Sequence, residues 1–256
     1  MSVEDAPGST PPAIAYGIDI GVYRHRADGT LRSRNTFAWA RAESTVRLCP
    51  VRREKAAEFC FEGSYRVGRD IRELTKAIKQ DLNREERIAI GIEAPMWQPA
   101  PVTVPEGAFD LFPIRFPQEQ GFAWYLQSGA SALARALSTG RLLFSLLDVP
   151  HERLRCSTIA SADSNVELFE GFVVDRWKLD AAEQLAQGPH AWDALTAAVA
   201  FHYSKCDQGL IHRAASYEGT VMSHWQTILQ SSGFDGTFCS SDCTVVGFDS
   251  TRASSF

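Results

Sequence analysis

The chain has 256 residues, 45% of them hydrophobic and 22% charged, the make-up of an ordinary globular protein with a sizeable core. No apolar run reaches the roughly 18–20 residues that a membrane-spanning helix needs. A net charge of −5 argues against constitutive, non-specific duplex binding, which depends on neutralising phosphates.

The charge is uneven: residues 1–90 carry a slight basic excess and the remainder an acidic one. A local basic face from Arg24, Arg26, Arg32, Arg34, Arg52, Arg53 and Lys55 is therefore compatible with the acidic total. The six cysteines (Cys49, Cys60, Cys156, Cys206, Cys239 and Cys243) are scattered along a chain long enough to need no staples. That usage predicts reduced thiols and a cytoplasmic location. Residues 1–12 are polar and acidic with Pro, Gly, Ser and Thr, and lack the basic start and apolar core of a secretory signal. They read as a disordered leader.

In Ala13–Gly21, Ile14, Tyr16, Ile18 and Ile20 alternate with small residues and Asp19, as in a central strand. A carboxylate in such a strand needs a positive partner or a site that opens there, because burying an unpaired charge is costly. Asp28-Gly29 predicts a hairpin turn, with a return strand over Leu31–Trp39 and a weaker third strand over Thr45–Val51. Arg69–Leu82 carries Ile71, Leu74, Ile78 and Leu82 at helical spacing.

Arg87–Glu93 is a second core strand whose isoleucines alternate, and Glu93 falls at its carboxyl end on the face opposite to them. The proline- and aromatic-rich stretch Ala94–Glu119 reads as a long packed loop of the kind that often carries function. Its Trp97, Phe112 and Phe116, with Trp124, are candidates for core packing or base stacking. Gly121–Leu147 predicts a helix broken near Ser138–Gly140, Ser164–Val174 a strand bearing Glu167 and Glu170, and Asp180–Ala186 a short helix. His190–Ser204 is alanine-rich and apolar almost all round, which predicts a helix buried on most sides, with His190 and Asp193 on one face of its first turn. Beyond 205 the pattern fades to a short helix over Val221–Gln230 and a strand over Cys243–Phe248. The predicted organisation is a leader at 1–12, one domain at 13–204 and an appendage or tail at 205–256.

In a sheet mixing an antiparallel hairpin with parallel strands, the ends of the first and second strong strands can be neighbours, and a helix packed on that face can bring its first turn to the same spot. Three or four acids converging there would repel one another unless cations neutralise them. Hard oxygen ligands select Mg²⁺ or Mn²⁺, and a pair of such ions supports in-line phosphoryl transfer. No Ser-His-Asp pattern, Walker loop or paired-cysteine zinc motif competes. The looser set His202, Cys206, Cys239 and Cys243 is an alternative zinc reading.

Gly17-Ile18-Asp19-Ile20-Gly21, Ile92-Glu93-Ala94-Pro95 and His190-Ala191-Trp192-Asp193-Ala194-Leu195 resemble the acid motifs of RNase H-like nucleases of the RuvC-like branch. Within that branch the chain is similar to a family of uncharacterised predicted RNase H-like nucleases, over roughly residues 13–203. The resemblance implies an α/β fold whose mixed sheet opens with three antiparallel strands and continues in parallel, with helices on both faces. It implies metal-binding roles for Asp19, Glu93 and Asp193 with Mg²⁺ or Mn²⁺, and matches Glu167 to the family's strand glutamate, Glu170 being the alternative. His190 joins these as a candidate for metal or phosphate contact, or for a plain helix-start contact.

The implied function is a metal-dependent nuclease that hydrolyses phosphodiester bonds of DNA or RNA by a two-metal mechanism. A protein partner supplying specificity and a homodimer both stay open. The alternatives are a catalytically silent RNase H-like binding module and, with less support, an actin-like ATPase or sugar kinase. The last needs a polar residue soon after Gly21 and a mid-chain Asp-Gly loop, where this chain has Val22-Tyr23-Arg24 and a late Gly247-Phe248-Asp249.

Overall fold

The structure, a computed structural model, describes residues 11–22, 35–52, 57–99, 102–103, 109–110, 115, 128–150, 153–158, 163–171, 180–181, 185–205, 210–213, 221–234 and 244–248. The predicted leader up to residue 10 and the Asp28-Gly29 turn lie outside the described residues.

The first strand, β1 (Ile14–Asp19), is buried along its whole length. Antiparallel to it runs β2 (Ala38–Glu43), with Ile14 opposite Glu43 and Asp19 opposite Ala38. Strands β3 (Arg47–Arg52) and β4 (Ala57–Glu62) form a separate antiparallel hairpin. The third antiparallel strand of the main sheet is instead β5 (Tyr65–Gly68), paired with β2. This corrects the expectation that Thr45–Val51 would hold that place.

Helix α1 (Ile71–Asn83) starts where the Asp70 carboxylate accepts a hydrogen bond from the Arg72 amide at 2.7 Å. It leads into β6 (Ile88–Ile92), parallel to β1 with Ile18 opposite Ile92. The proline-rich stretch contributes three short strands, β7 (Trp97–Pro99), β8 (Val102–Thr103) and β9 (Phe109–Asp110).

Helix α2 (Ser128–Leu147) runs unbroken through Ser138–Gly140. Gly140 is no breaker there: a Cβ at that position would press on Ile228, so the missing side chain lets two helices approach. Next come β10 (Cys156–Ser157), β11 (Val166–Gly171) and β12 (Asp180–Ala181). Residues 180–181 pair with β4, where a short helix was expected. After α3 (Pro189–Ser204) follow β13 (Leu210–Arg213), β14 (Val221–Ser223), α4 (His224–Ser231) and β15 (Thr244–Gly247).

The main sheet has eight strands in the order β13-β15-β11-β6-β1-β2-β5, with β10 beside the first half of β11. The fold is therefore α/β with a mixed sheet, antiparallel at β1-β2-β5 and parallel through β1, β6, β11 and β15. Strands β13 and β15, from the segment beyond residue 205, belong to this sheet.

Strand parity divides the core in two. Ile14, Tyr16, Ile18, Ile88, Ile90, Ile92, Val166 and Leu168 face one side with residues of α1, α2 and α4. On that side the Tyr16 hydroxyl donates to Asp81 at 2.6 Å, and Arg41 binds the same carboxylate at 2.7 Å, tying β1 and β2 to α1. The other side carries Ala15, Ala40, Ala42, Ala89 and Phe169 against α3. Leu48, Phe59 and Phe61 of the β3–β4 hairpin close over the far side of α3, where Phe61 meets Trp192. Helix α3 lies between the sheet and this hairpin, which explains why apolar residues surround it.

Gly17 sets how closely α3 lies on the sheet. A Cβ there would run into the Ala194 carbonyl and the Ala198 amide, both helix backbone that cannot swing aside. Gly17→Ala should therefore destabilise the protein by about 1–3 kcal/mol or more through overpacking. Urea unfolding measures this, and a change within a few tenths of a kcal/mol would show that the helix yields freely.

Candidate metal centre

Three elements meet at the carboxyl end of β1. Asp19 ends β1 on the α3 face, being two residues beyond Gly17. Parallel pairing brings the end of β6 alongside, and the Glu93 amide donates to the Ile18 carbonyl at 2.8 Å. Glu93 thus takes the next register position beside Asp19, on the same face as Ala89 and Gly91. From above comes the first turn of α3, opened by Pro189, with His190 and Asp193 one turn apart.

His190 Nδ1 lies 2.6 Å from Asp19 Oδ2. One ligand atom each from Asp19, His190 and Asp193 lies within 4.8 Å of the other two. Asp19 and Asp193 are buried, while the His190 side chain is 39% exposed, so the cluster opens to solvent along the imidazole. The hydrogen bond to Asp19 raises the pKa of His190; partial burial opposes this, and the charges of Asp19 and Asp193 add to the rise.

One cation of the site escaped the sequence reading. Gly68 pairs with Trp39, so Arg69 arrives level with Ala38, which is the partner of Asp19. Alternation from Val67 puts Arg69 on the α3 face, and the methyl of Ala38 leaves room between it and Asp19. Its charge works against protonation of His190. Arg69 Nε is buried with no hydrogen-bond partner among the described residues. Finding it would have required seeing β5, whose four residues are too short for a periodicity signal.

The two strand glutamates go elsewhere. Glu167 pairs with Ala89, four residues before Glu93, which puts it about 13 Å away along the strand. There it binds Lys205 Nζ at 2.6 Å, so the expected catalytic Glu167 is not part of the cluster. Glu170 turns to the opposite face, where it accepts from Arg115 and from the Met96 amide, each at 2.8 Å. Both side chains of the Arg115–Glu170 pair are fully buried, and the guanidinium stacks on Trp97. Trp97 is therefore part of the core, while Phe112, Phe116 and Trp124 lie outside the described residues.

Of the alternative zinc set, only His202 lies among the described residues. His202 is buried on α3 and its Nε2 donates to the Ala42 carbonyl at 3.1 Å, while Cys206, Cys239 and Cys243 lie outside the described residues.

No family model matches the chain, and comparison with curated proteins and with solved structures gives no match. No helix among the described residues is long and apolar enough to cross a membrane.

The His190–Asp19 pair predicts a pH signature for the metal-free protein. Because the folded pKa of His190 is raised, the stability it contributes is fully present below about pH 6.5 and is lost as pH rises through the folded value. NMR titration of the ring should give a midpoint above the ordinary histidine value. Asp19→Asn should bring it back down and Arg69→Ala should push it higher. An unchanged midpoint in Asp19→Asn would mean that the pair does not form in solution.

Proposed function

We propose that this protein is a divalent-metal-dependent nuclease of the RNase H-like type, hydrolysing phosphodiester bonds of nucleic acid. One observation carries the reading: Asp19, His190 and Asp193 converge within 4.8 Å at the carboxyl end of the central strand. The sheet order supports it, with β1 central, β2 and β5 antiparallel on one side, and β6 and β11 parallel on the other. That is the arrangement the acid-motif resemblance implies.

The donor set fits a hard divalent ion. Two buried carboxylates with a third at the adjacent register position supply the oxygen ligands that Mg²⁺ and Mn²⁺ prefer. Asp19 and Asp193 would hold the ion, and Glu93 would serve a second ion position on the other flank of Asp19. When bound, such ions neutralise the acids, polarise the phosphoryl oxygen and lower the pKa of water.

The chain's own residues supply the rest. Asp19 keeps the His190 ring oriented and favours its protonated form, so His190 can donate a hydrogen bond or a proton to an oxygen arriving from solvent. Its open side is where a backbone phosphate has access. Arg69, across Ala38, adds positive charge for that phosphate.

The competing reading is a catalytically silent binding module, and one observation favours it. Glu167 and Glu170 are both committed to ion pairs, which leaves the site fewer acids than a two-ion centre normally uses. Incubating the protein with Mn²⁺ and single-stranded, duplex, branched and hybrid nucleic acids separates the two. The expected result is cleavage of at least one substrate. Asp19→Asn and Asp193→Asn should each lose about a thousandfold or more, roughly 4 kcal/mol. Glu167→Gln should stay within about tenfold of wild type. No cleavage of any substrate would favour the silent module, and cleavage that survives Asp19→Asn would move the chemistry elsewhere.

A further inference from the structure

A second cluster of metal-ligating side chains lies on the β3–β4 hairpin, away from the carboxyl end of β1. Leu48, Phe59 and Phe61 point towards α3, so the residues alternating with them project from the opposite face of the hairpin. Those residues include Cys49 and Cys60, which register pairs directly across the two strands. Glu62, two residues after Cys60, shares their face. One ligand atom from each of Cys49, Cys60 and Glu62 lies within 4.8 Å of the other two. Both cysteines are half-buried with free thiols, and Cys60 Sγ rests 3.7 Å from the Cys49 carbonyl oxygen.

We propose that Cys49, Cys60 and Glu62 form a binding site for a borderline-soft divalent cation, Zn²⁺ being the ion of that class a cell offers. Two sulfurs and one carboxylate make three of the four corners of a tetrahedral zinc site, and water or an external ligand takes the fourth. Thiolates discriminate strongly against Mg²⁺, so this donor set differs in kind from the carboxylate-imidazole cluster. Binding releases one proton from each thiol, giving a complex of two thiolates, one carboxylate and the ion.

Geometry also states the consequence of occupancy. The ion would join β3 to β4 on the outside of the hairpin whose inner face covers α3, the helix that carries His190 and Asp193. A clip there ties down the outer layer of the core without touching the nuclease site, so this inference does not depend on the proposed activity.

Co²⁺, a spectroscopic stand-in for Zn²⁺, tests the site on the full chain kept reduced with a phosphine. Titration should give a thiolate-to-cobalt charge-transfer band in the near ultraviolet and tetrahedral visible bands. Both should saturate at one equivalent for this site and vanish on adding Zn²⁺. Cys49→Ser and Cys60→Ser should each weaken binding by about tenfold or more and shift the visible bands, with far-ultraviolet circular dichroism confirming the fold. Glu62→Gln should keep the charge-transfer band at reduced affinity, and Asp193→Asn should leave it unchanged. Absence of the band in the wild-type protein needs no variant to interpret and would overturn the proposal. A band that persists in the Cys49→Ser/Cys60→Ser double variant would overturn it too, because other cysteines would then be the ligands. So would peptide mapping that finds Cys49 and Cys60 joined as a disulfide under these reducing conditions.

Discussion

The contact between Gly17 and the backbone of α3 is the constraint on which the site depends. A side chain at Gly17 would collide with the Ala194 carbonyl, and the neighbouring positions on that face are alanines: Ala15, Ala40, Ala42 and Ala89. With so little between them, helix and sheet approach closely enough for short side chains to meet. His190 reaches Asp19 at 2.6 Å only because its helix lies that low. The small residues of β1 and the apolar circumference of α3 serve one end, which is to bring one turn of helix onto the end of one strand. The hairpin over the far side of α3 completes the burial and keeps the helix from lifting off.

Charge is arranged around this contact in a consistent way. Buried carboxylates elsewhere in the described residues have a full cation beside them: Asp81 with Arg41, Glu167 with Lys205 and Glu170 with Arg115. Such pairs contribute little net stability, yet removing one partner from a buried pair is costly, so they fix geometry. Asp19 differs, since its ion-pair partner among the described residues is a histidine, whose charge depends on its protonation. A carboxylate matched to so weak a cation, with a ligand atom of Asp193 within 4.8 Å, is the least firmly paired of these acids. This asymmetry between firmly and weakly paired acids carries more functional information than the number of acids in the sequence.

What the sequence disclosed follows from which forces are local. The strand over 14–19, the strand over 88–92 and the helices over 71–83 and 189–204 were legible because periodicity within each segment records which face it buries. The placement of Asp19, Glu93 and the His190–Asp193 turn at one corner follows from those elements. Pairing partners were not legible. Tyr65–Gly68 is four residues, too short to show a period, yet it completes the antiparallel set, and the strand expected over 243–248 carried no sign that it extends the sheet in parallel. Arg69 was hidden for the same reason.

The two strand glutamates show where one-dimensional reading stops. Glu167 and Glu170 lie on one strand and differ by face, which parity predicts correctly. Parity says nothing about height along the sheet, and height decides: Glu167 shares the face of Asp19 but sits level with Ala89, where α3 ends in Lys205 rather than begins with His190. A helix laid along a strand presents its two ends to the two ends of the sheet. Only an acid at the matching end of a neighbouring strand reaches that height, as the backbone of Glu93 does because the parallel register of β1 and β6 is in step. The ligand atoms that meet are those of Asp19, His190 and Asp193. Membership of the site is therefore a property of register, and register is set by the pairing of whole strands rather than by any motif that contains the acid.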